Sequence, residues 1–471
     1  MARLDRAARR GRRLPAASDL PQRLLASPVG SLVTRPWFDR LVLQFGLGTY
    51  LPLSRAWAAS SISDGMVDRF LAELPLDRVP HGLSRGLARS LARAAELSAT
   101  HDAVLRDWNA AFFGEAATST ARLVTLEGAR RHASDSFMKG RLLFLPLRLR
   151  TSLPSVRFEI PEPRLVEDRH GRRLRDVANA FRPANALQHV SVTRRIATPL
   201  SHEFWLRFPS GDPAVGETAW AHVFEPEGVS DPPTLVHGHG LALELESLDR
   251  VSDGSEDIVK AGVRLVRLEA PWHNRRRLPG RYGGEPFLAS PPLSALDLFS
   301  ATTREMAMLV AWSRQTSRGR VAVGGTSLGA LASQLVITHC HHWPRAYRPD
   351  VAFLATTTED VGSLSFDSSI AHLVKLPEVM AAAGWTREQF DRWRPLSDPV
   401  GETSLAKDDI IMVLGRTDNV TPFERGMALA RRWRIPDTNL FLRSAGHFSA
   451  AIDLIRDPAP MRRLVERLHA A

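Results

Sequence analysis

The sequence predicts an α/β fold, with a mostly parallel, doubly wound sheet that follows a mainly helical N-terminal region. From residue 186 onward, short apolar runs rich in β-branched residues alternate with helical-looking segments. This alternation is typical of strand–helix–strand units with right-handed crossovers. Between residues 30 and 185, apolar residues mostly repeat at helical spacing. The 471 residues suffice for a complete α/β domain and an additional region.

Composition and charge narrow the class of protein. The chain is 44% hydrophobic and 24% charged, as is usual for a globular protein. Its net charge of +11 is carried almost wholly by arginine. No recognisable nucleic-acid-binding module groups these residues, so we expect no nucleic-acid partner. A single cysteine, Cys340, excludes an internal disulfide and fits a reducing compartment such as the cytoplasm.

The first residues predict a basic flexible arm at positions 1–29. Residues 1–13 are rich in arginine, but no apolar run follows them as it would in a secretory signal. A mitochondrial transit peptide remains an alternative for this arm. Residues 41–54 are uncharged, too short to span a bilayer and interrupted by Pro52. We expect this stretch to pack as a core helix, and association with a membrane surface is the alternative.

The remainder of the N-terminal region, within residues 30–185, is predicted to be helical up to about residue 151. Leu83, Leu87 and Leu91 repeat every four residues, and apolar residues between positions 62 and 74 share one helical face. Residues 154–188 are rich in proline and arginine without a clear period, and we interpret them as a connector. The boundary to the second region, residues 186–471, is expected near Asn185.

The second region contains nine predicted strands. The first three are expected to be joined by antiparallel connections. The predicted strands are 189–196, 204–208, 219–224, 234–237, 263–268, 321–324, 351–355, 410–414 and 439–442. The predicted helices are 243–261, 294–314, 330–338, 422–433 and one from Phe448 onward.

One stretch, residues 321–330, reads VAVGGTSLGA and contains a G-x-S-x-G motif around Ser327. An apolar strand precedes the motif and a helix follows it, which is the context of a nucleophile elbow. Glycines two residues to either side leave room for a tight turn. The motif alone is a weak signal, because any glycine-rich turn can produce it.

Three further positions follow predicted strands. Asp418 comes after the strand 410–414 and a glycine, and His447 comes after the last strand, within Ser-Ala-Gly-His-Phe. The run His-Gly-His-Gly at residues 237–240 begins at the last residue of the predicted strand 234–237. With Ser327, these positions make the region from about residue 189 onward resemble the α/β-hydrolase superfamily. The chain order Ser, Asp, His, with spacings of 91 and 29 residues, agrees with that resemblance.

The resemblance implies a catalytic triad of Ser327, His447 and Asp418, with Glu359 or Asp360 as the alternative acid. It also implies that the backbone amides of Leu328 and His239 form an oxyanion hole. The expected activity is hydrolysis of a carboxylic ester or thioester through an acyl-enzyme. Acyl transfer by the same triad, or a non-catalytic hydrolase-like binding scaffold, are the alternatives.

The run His339, Cys340, His341 and His342 invites comparison with a metal site. Four consecutive residues cannot all face one ion in a helix with 3.6 residues per turn. We therefore interpret the run as a helix end and Cys340 as a small buried apolar residue. No metal and no cofactor is expected.

Two segments are predicted to shape substrate binding. The loop 270–284 includes His273, Arg275 and Arg276, whose side chains either bind an anionic group or pair with Glu269 and Glu285. Residues 366–395, which include Trp385, are expected to form an apolar lid, with ordinary helix packing as the alternative. The expected substrate is a small-molecule or lipid-like ester. The sequence gives no indication of the oligomeric state.

Overall fold

The computed structural model describes residues 27, 35–76, 82–184, 187–241 and 255–470. All of the predicted basic arm at residues 1–29 except Ser27 lies outside the described residues. Residues 242–254, with the first part of the predicted helix 243–261, also lie outside them.

In the described part of the chain, ten strands form one sheet. Strands β5 to β9 are mainly apolar and buried, β10 is half-buried, and β1 and β2 are only two residues long. The strands are β1 Ser191–Val192, β2 Ile196–Ala197, β3 Ser201–Pro209, β4 Thr218–Pro226, β5 Thr234–Gly238, β6 Arg264–Leu268, β7 Val321–Thr326, β8 Val351–Ala355, β9 Ile410–Gly415 and β10 Leu440–Arg443.

The strand order along the sheet is β1, β3, β4, β6, β5, β7, β8, β9, β10, with β2 paired to β3. Strands β5 to β10 are parallel to one another, and β1 to β4 add antiparallel pairs at one side. The predicted mostly parallel sheet is therefore confirmed. Because β6 lies on one side of β5 and β7 on the other, the winding reverses between β5 and β7. Ligands of such sheets bind beyond the carboxyl ends of the strands at this reversal.

The N-terminal region is helical, as predicted. A π-helical segment at Val42–Leu47 joins its first two helices. The helices are α1 Pro36–Leu41, α2 Gly48–Ser60, α3 Val67–Glu73, α4 Ser84–Phe113, α5 Thr120–Lys139, α6 Leu145–Arg148, α7 Pro163–Arg175 and α8 Val177–Ala180.

The helices of the second region follow the strands. Longer helices connect the strands, and several short ones lie between β8 and β9. They are α9 Ser255–Lys260, α10 Glu285–Ala289, α11 Leu293–Thr316, α12 Leu328–His339, α13 Gly362–Phe366, α14 Ser369–Leu373, α15 Leu376–Ala382, α16 Arg387–Asp391, α17 Arg394–Ser397, α18 Phe423–Arg432, α19 His447–Arg456 and α20 Ala459–His469.

Helices cover both faces of the sheet. Successive strand residues point to opposite faces, and Ala352 and Phe353 accordingly belong to different hydrophobic clusters. On one face the strands pack with α11 and α12. On the other they pack with α9 and α20, through residues such as Ile258 and Leu464. The sheet is doubly wound because both faces are buried against helices.

The helical region shares a core with the sheet region. Leu51 of α2 and Val166 of α7 belong to the same hydrophobic cluster as the strands. Trp108 of α4 packs edge to face on Trp205 of β3, with the ring centroids 4.9 Å apart. The predicted boundary near Asn185 therefore does not separate two hydrophobic cores, because one core contains residues from both sides of it.

The structure differs from two local predictions. The predicted connector at 154–188 contains the 13-residue helix α7. Its residues are mainly polar, and only Val166, His170 and Gly171 are buried, so few apolar residues indicate its buried face. The predicted helical face at 62–74 is interrupted, because Asp64 and Gly65 have positive φ angles and α3 begins only at Val67.

The C-terminal part of the uncharged stretch 41–54 packs inside the protein. Residues 51–60 of α2 are buried, which agrees with the core interpretation for that part. Among the helices that the structure describes, none is long and apolar enough to cross a membrane.

Candidate active site

Ser327 lies at the sharp turn between β7 and α12. Its φ of 54° and ψ of −117° fall in a region that residues with a side chain seldom adopt. The Ser327 N–H donates to the Ala355 carbonyl of β8, 2.9 Å away, and its carbonyl accepts from Leu331 of α12. These bonds hold the serine at the carboxyl end of the sheet, in the conformation of a nucleophile elbow.

The glycines of the motif allow α12 to approach the end of β5. A Cβ on Gly329 would lie 2.0 Å from the Gly238 carbonyl oxygen, and one on Gly325 would lie 2.5 Å from the same atom. Either contact is far shorter than real Cβ contacts, so side chains at these positions would separate β5 from α12. The elbow therefore depends on two glycines for close packing.

His447 connects Ser327 with Asp418. Its Nε2 lies 3.0 Å from Ser327 Oγ, and its Nδ1 lies 2.8 Å from Asp418 Oδ2. A carboxylate can only accept hydrogen bonds, so we assign the imidazole proton to Nδ1. Nε2 is then the acceptor for the serine hydroxyl proton, as a general base requires.

Asp418 is buried and held by its own loop. Its Oδ1 accepts from the amides of Val420 and Thr421, each at 2.9 Å, and its Oδ2 accepts from the Thr421 hydroxyl at 2.8 Å. The Thr421 hydroxyl also lies 3.2 Å from His447 Nδ1. These contacts fix the direction of the carboxylate toward the imidazole. Thr421 is a site residue that the sequence analysis did not single out, although it follows the predicted acid closely.

The alternative acids face other partners. Glu359 pairs with Arg432 at 2.8 Å, and Asp360 pairs with Arg387 and accepts from the Ser363 amide. The carboxylate that contacts His447 is therefore that of Asp418.

His239 and Leu328 meet beside the serine. Both line the same small cavity, together with Gly238 and Gly329. Leu328 is the first residue of α12, where an N–H has no acceptor within the helix. The two backbone amides predicted to form an oxyanion hole thus belong to neighbouring segments of chain.

The His239 side chain is neutral and fixes the loop after β5. Its Nδ1 lies 2.8 Å from the Gly240 carbonyl, and its Nε2 accepts from the Ala270 amide at 3.1 Å. Burial, with smaller contributions from nearby Arg267 and Arg276, lowers the pKa of this imidazole to about 4. A neutral ring with one donor and one acceptor satisfies both backbone partners.

Comparisons with known proteins complement this geometry. No family model and no curated protein matches the chain. Acetyl xylan esterase 1 from Thermoanaerobacterium sp. is 14% identical, with a TM-score of 0.42 over 67% of this chain and 97% of that one. An esterase from Pyrobaculum calidifontis is 14% identical, with a TM-score of 0.38 over 66% and 95%. An S-formylglutathione hydrolase from Agrobacterium tumefaciens is 14% identical, with a TM-score of 0.37 over 59% and 99%.

The sheet order, its reversal between β5 and β7 and the elbow after β7 decide the fold. The chain has the α/β-hydrolase fold. The predicted fold class is therefore confirmed. In this fold, Ser327, Asp418 and His447 follow β7, β9 and β10, so all three lie at the carboxyl ends of the parallel strands.

The two arginines predicted to bind substrate have structural partners. Arg275 pairs with Glu269, and its guanidinium lies 5.3 Å from the ring centroids of both Trp108 and Trp220. Arg276 is buried and pairs with Glu305 at 2.8 Å. Of the two interpretations left open by the sequence, pairing with Glu269 is the one observed for Arg275. Both guanidinium groups are thus paired with carboxylates of the chain itself.

His273 is buried beneath the site rather than exposed at its mouth. Its Nδ1 lies 2.9 Å from the Pro271 carbonyl, and its ring packs edge to face on His239 with centroids 4.8 Å apart. Burial and the neighbouring His239 lower its pKa to about 3. The contact with His239 places His273 next to the loop that follows β5.

The segment 366–395 consists of short helices packed on the protein. Trp385 is buried, and its indole N–H donates to the Pro161 carbonyl at 2.6 Å. Arg387 pairs with Asp360, Asp367 and Asp391. The buried position of Trp385 corresponds to ordinary helix packing, one of the two interpretations of this segment.

The His339–His342 run does not converge on one point. His339 stacks on Phe181, Cys340 is buried with its sulfur 2.8 Å from Ser404 Oγ, and His341 bonds the Thr338 carbonyl. Among the described residues, no group of three or more metal-ligating side chains is close enough together to hold an ion.

Proposed function

We propose that this chain is a serine hydrolase that cleaves a carboxylic ester or thioester through an acyl-enzyme. The observation that carries the proposal is the hydrogen-bonded line from Ser327 Oγ to His447 and on to Asp418, with distances of 3.0 and 2.8 Å. A serine hydroxyl is a weak nucleophile at neutral pH and needs a base at hydrogen-bond distance. The line supplies that base and the acid that orients it.

In the first half-reaction, Ser327 Oγ attacks the substrate carbonyl carbon while its proton passes to His447 Nε2. The tetrahedral intermediate places its negative charge on the carbonyl oxygen, where the amides of Leu328 and His239 donate to it. One such donor typically contributes about 3 to 4 kcal/mol. His447 then gives its proton to the leaving alcohol or thiol, and the acyl group remains on Ser327.

In the second half-reaction, water takes the place of the alcohol or thiol. His447 removes a proton from the water, and the hydroxide adds to the acyl carbon. Collapse of the second intermediate releases the carboxylic acid, and the proton returns from His447 to Ser327 Oγ. Asp418 stabilises the imidazolium in both halves, since its carboxylate lies beside Nδ1.

The test is covalent labelling with a fluorophosphonate probe, which reacts with activated serines. We expect the wild-type protein to be labelled and Ser327→Ala to be unlabelled, with an unchanged circular dichroism spectrum. The matched control is Ser444→Ala, an exposed serine three residues before His447 that should label normally. Labelling that persists in Ser327→Ala would overturn the assignment of the nucleophile.

Two further measurements define the reaction. Initial rates on esters and thioesters of increasing acyl length report the size of the acyl group that the site accepts. Product analysis with added alcohols or amines separates hydrolysis from acyl transfer. A folded wild-type protein without labelling or turnover would favour the non-catalytic binding scaffold instead.

A further inference from the structure

Asp39, in the first helix of the N-terminal region, lies against the segment that carries His447. The residue is buried, with a relative exposure of 6%. Its Oδ1 accepts from the Phe448 amide at 2.7 Å and from the Ser449 amide at 3.3 Å, and its Oδ2 accepts from the Ser449 hydroxyl. A buried carboxylate is thus hydrogen-bonded by residues 409 and 410 positions later in the chain.

These contacts satisfy the beginning of helix α19. The first amides of a helix have no acceptor within it, and a side chain at the N-cap usually provides one. The N-cap of α19 is Gly446, which has no side chain to offer. Asp39 takes over that function from a distant part of the chain, and its negative charge is favourable at the positive end of the helix dipole.

The contact also explains why residue 446 is glycine. A Cβ at this position would lie 2.5 Å from the Asp39 carboxyl carbon and 2.7 Å from both of its oxygens. The Gly446 amide donates to Ser449 Oγ at 2.8 Å, which in turn contacts Asp39. Gly446, Ser449 and Asp39 therefore form one packed unit.

His447 is the first residue of α19, so this unit fixes the backbone from which its imidazole extends. Asp418 contacts the imidazole at Nδ1, while Asp39 accepts from the amide of the peptide bond that joins His447 to Phe448. The imidazole must stay within hydrogen-bond distance of Ser327, because a displacement of about 1 Å in a catalytic group can lower the rate roughly 100-fold.

We propose that Asp39 is a positioning residue for His447, so that the N-terminal helical region completes the catalytic site. The inference rests on the proposed serine-hydrolase function. It assigns to α1 a function in catalysis, since this helix contributes the carboxylate that holds the start of α19.

The test compares two substitutions with a matched control. Asp39→Ala should lower kcat and the rate of fluorophosphonate labelling by about 100-fold, with KM nearly unchanged, because the loss affects His447 and not substrate contacts. Asp39→Asn keeps a carbonyl acceptor for the Phe448 amide and should recover part of the rate. The control, Asp176→Asn, alters another capping aspartate of the N-terminal region, which caps α8, and should retain the wild-type kcat.

A kcat for Asp39→Ala equal to that of the wild type, in a folded protein, would overturn the inference. Equal losses in Asp39→Ala and Asp176→Asn would also overturn it, because they would indicate general destabilisation. If Asp39→Ala does not fold, the nearly isosteric Asp39→Asn decides alone, through a lower kcat at unchanged KM or a wild-type kcat.

Hydrogen exchange separates this inference from the function on which it rests. Asp39→Ala should accelerate amide exchange at Phe448 and Ser449 whether or not the protein is an enzyme. An unlabelled wild type with accelerated exchange in the variant would refute the hydrolase and leave the capping contact intact. A labelled wild type with unchanged exchange and kcat in the variant would refute the positioning role alone.

Discussion

At the scale of single residues, two buried histidines support the loops behind Ser327. His239 and His273 pack edge to face, and each ring lies within 3 Å of a backbone carbonyl at Nδ1. Burial lowers their pKa values to about 4 and about 3. Both rings are therefore neutral in the folded protein at neutral pH.

This neutrality predicts how stability depends on pH. In the unfolded chain a histidine takes up a proton near pH 6.5, while the two folded imidazoles remain neutral until about pH 4 and pH 3. The unfolded state therefore binds more protons in this window. The free energy of unfolding falls as the pH drops below 6.5, and each group contributes up to about 1.4 kcal/mol per pH unit.

His273→Phe tests this dependence. The variant loses the contact with the Pro271 carbonyl and should be less stable than the wild type at pH 6.5. It should, however, lose about 2 kcal/mol less than the wild type between pH 6.5 and 4.5, because one titrating group is gone. Urea unfolding at both pH values measures the difference. The same loss of stability with pH in both proteins would contradict the buried, neutral state of His273.

At the scale of elements, the contact between β5 and α12 builds the elbow. The two segments meet at Gly238 and Gly329 without any side chain between them. This contact keeps the start of α12, with Leu328, next to the segment that carries His239. The spacing of the proposed oxyanion donors is thus set by backbone packing.

Gly329→Ala should disrupt this contact. The new Cβ would lie 2.0 Å from the Gly238 carbonyl oxygen, so β5 and α12 must separate. Overpacking of this kind typically costs about 1 to 3 kcal/mol, and we expect fluorophosphonate labelling to slow at least tenfold. Denaturant unfolding and labelling rates, measured on the same preparation, check both effects.

The control for this substitution is Gly128→Ala, in the middle of α5. A Cβ there meets nothing within 4 Å, and the position is exposed. Alanine has the higher helix propensity, so this variant should be about 0.5 to 1 kcal/mol more stable. If Gly329→Ala labelled as fast as Gly128→Ala, a packing requirement at the elbow would be ruled out.

At the scale of the whole molecule, buried ion pairs join the N-terminal helices to the sheet. Glu127 of α5 pairs with Arg130 at 2.7 Å and with Arg131, which also bonds Glu203 of β3 at 2.7 Å. Trp108 of α4 donates its indole N–H to Glu127 at 2.8 Å. The desolvation that burial imposes on Glu127 is outweighed by the two arginines, which hold its pKa far below the usual range.

Glu127→Gln should therefore destabilise the entire protein. The substitution removes the carboxylate charge that lies 2.7 Å from Arg130, a side chain only 2% exposed, and breaking a buried pair in this way costs about 3 to 5 kcal/mol. Because the two regions share a core, we expect one cooperative unfolding transition at a lower denaturant midpoint. Fluorescence and loss of activity are the two measurements that monitor this transition. Two separate transitions would contradict the coupling.

Glu96→Gln is the matched control. Its carboxylate pairs with Arg93 on the surface of α4, where both side chains are more than half exposed. Exposed pairs contribute at most about 1 kcal/mol, so the midpoint should move little. A similar loss in both variants would indicate that the burial of Glu127 has no special effect.

Much of the fold was predictable because its signals are local. The strand β8 was predicted at the residues where it occurs, since a short buried run of Val, Ala, Phe and Leu fits a parallel strand buried on both faces. The elbow was predictable for the same reason, as strand, tight turn and helix are adjacent in sequence. Helix α7 was missed because few of its residues are apolar, so its buried face is poorly marked in the sequence.

The sequence by itself determined the order of the strands along the chain and placed Ser327, Asp418 and His447 after three of them. Parallel strands end at one edge of the sheet, so this order was enough to expect the three side chains together. Only the tertiary structure decided the partners of Arg275 and Arg276 and the contact of Asp39 with α19. Those partners depend on which surfaces become buried against each other. The Asp39 carboxylate and the Phe448 amide are 409 residues apart in the chain and meet only when the whole chain packs. No local sequence pattern indicates such a contact.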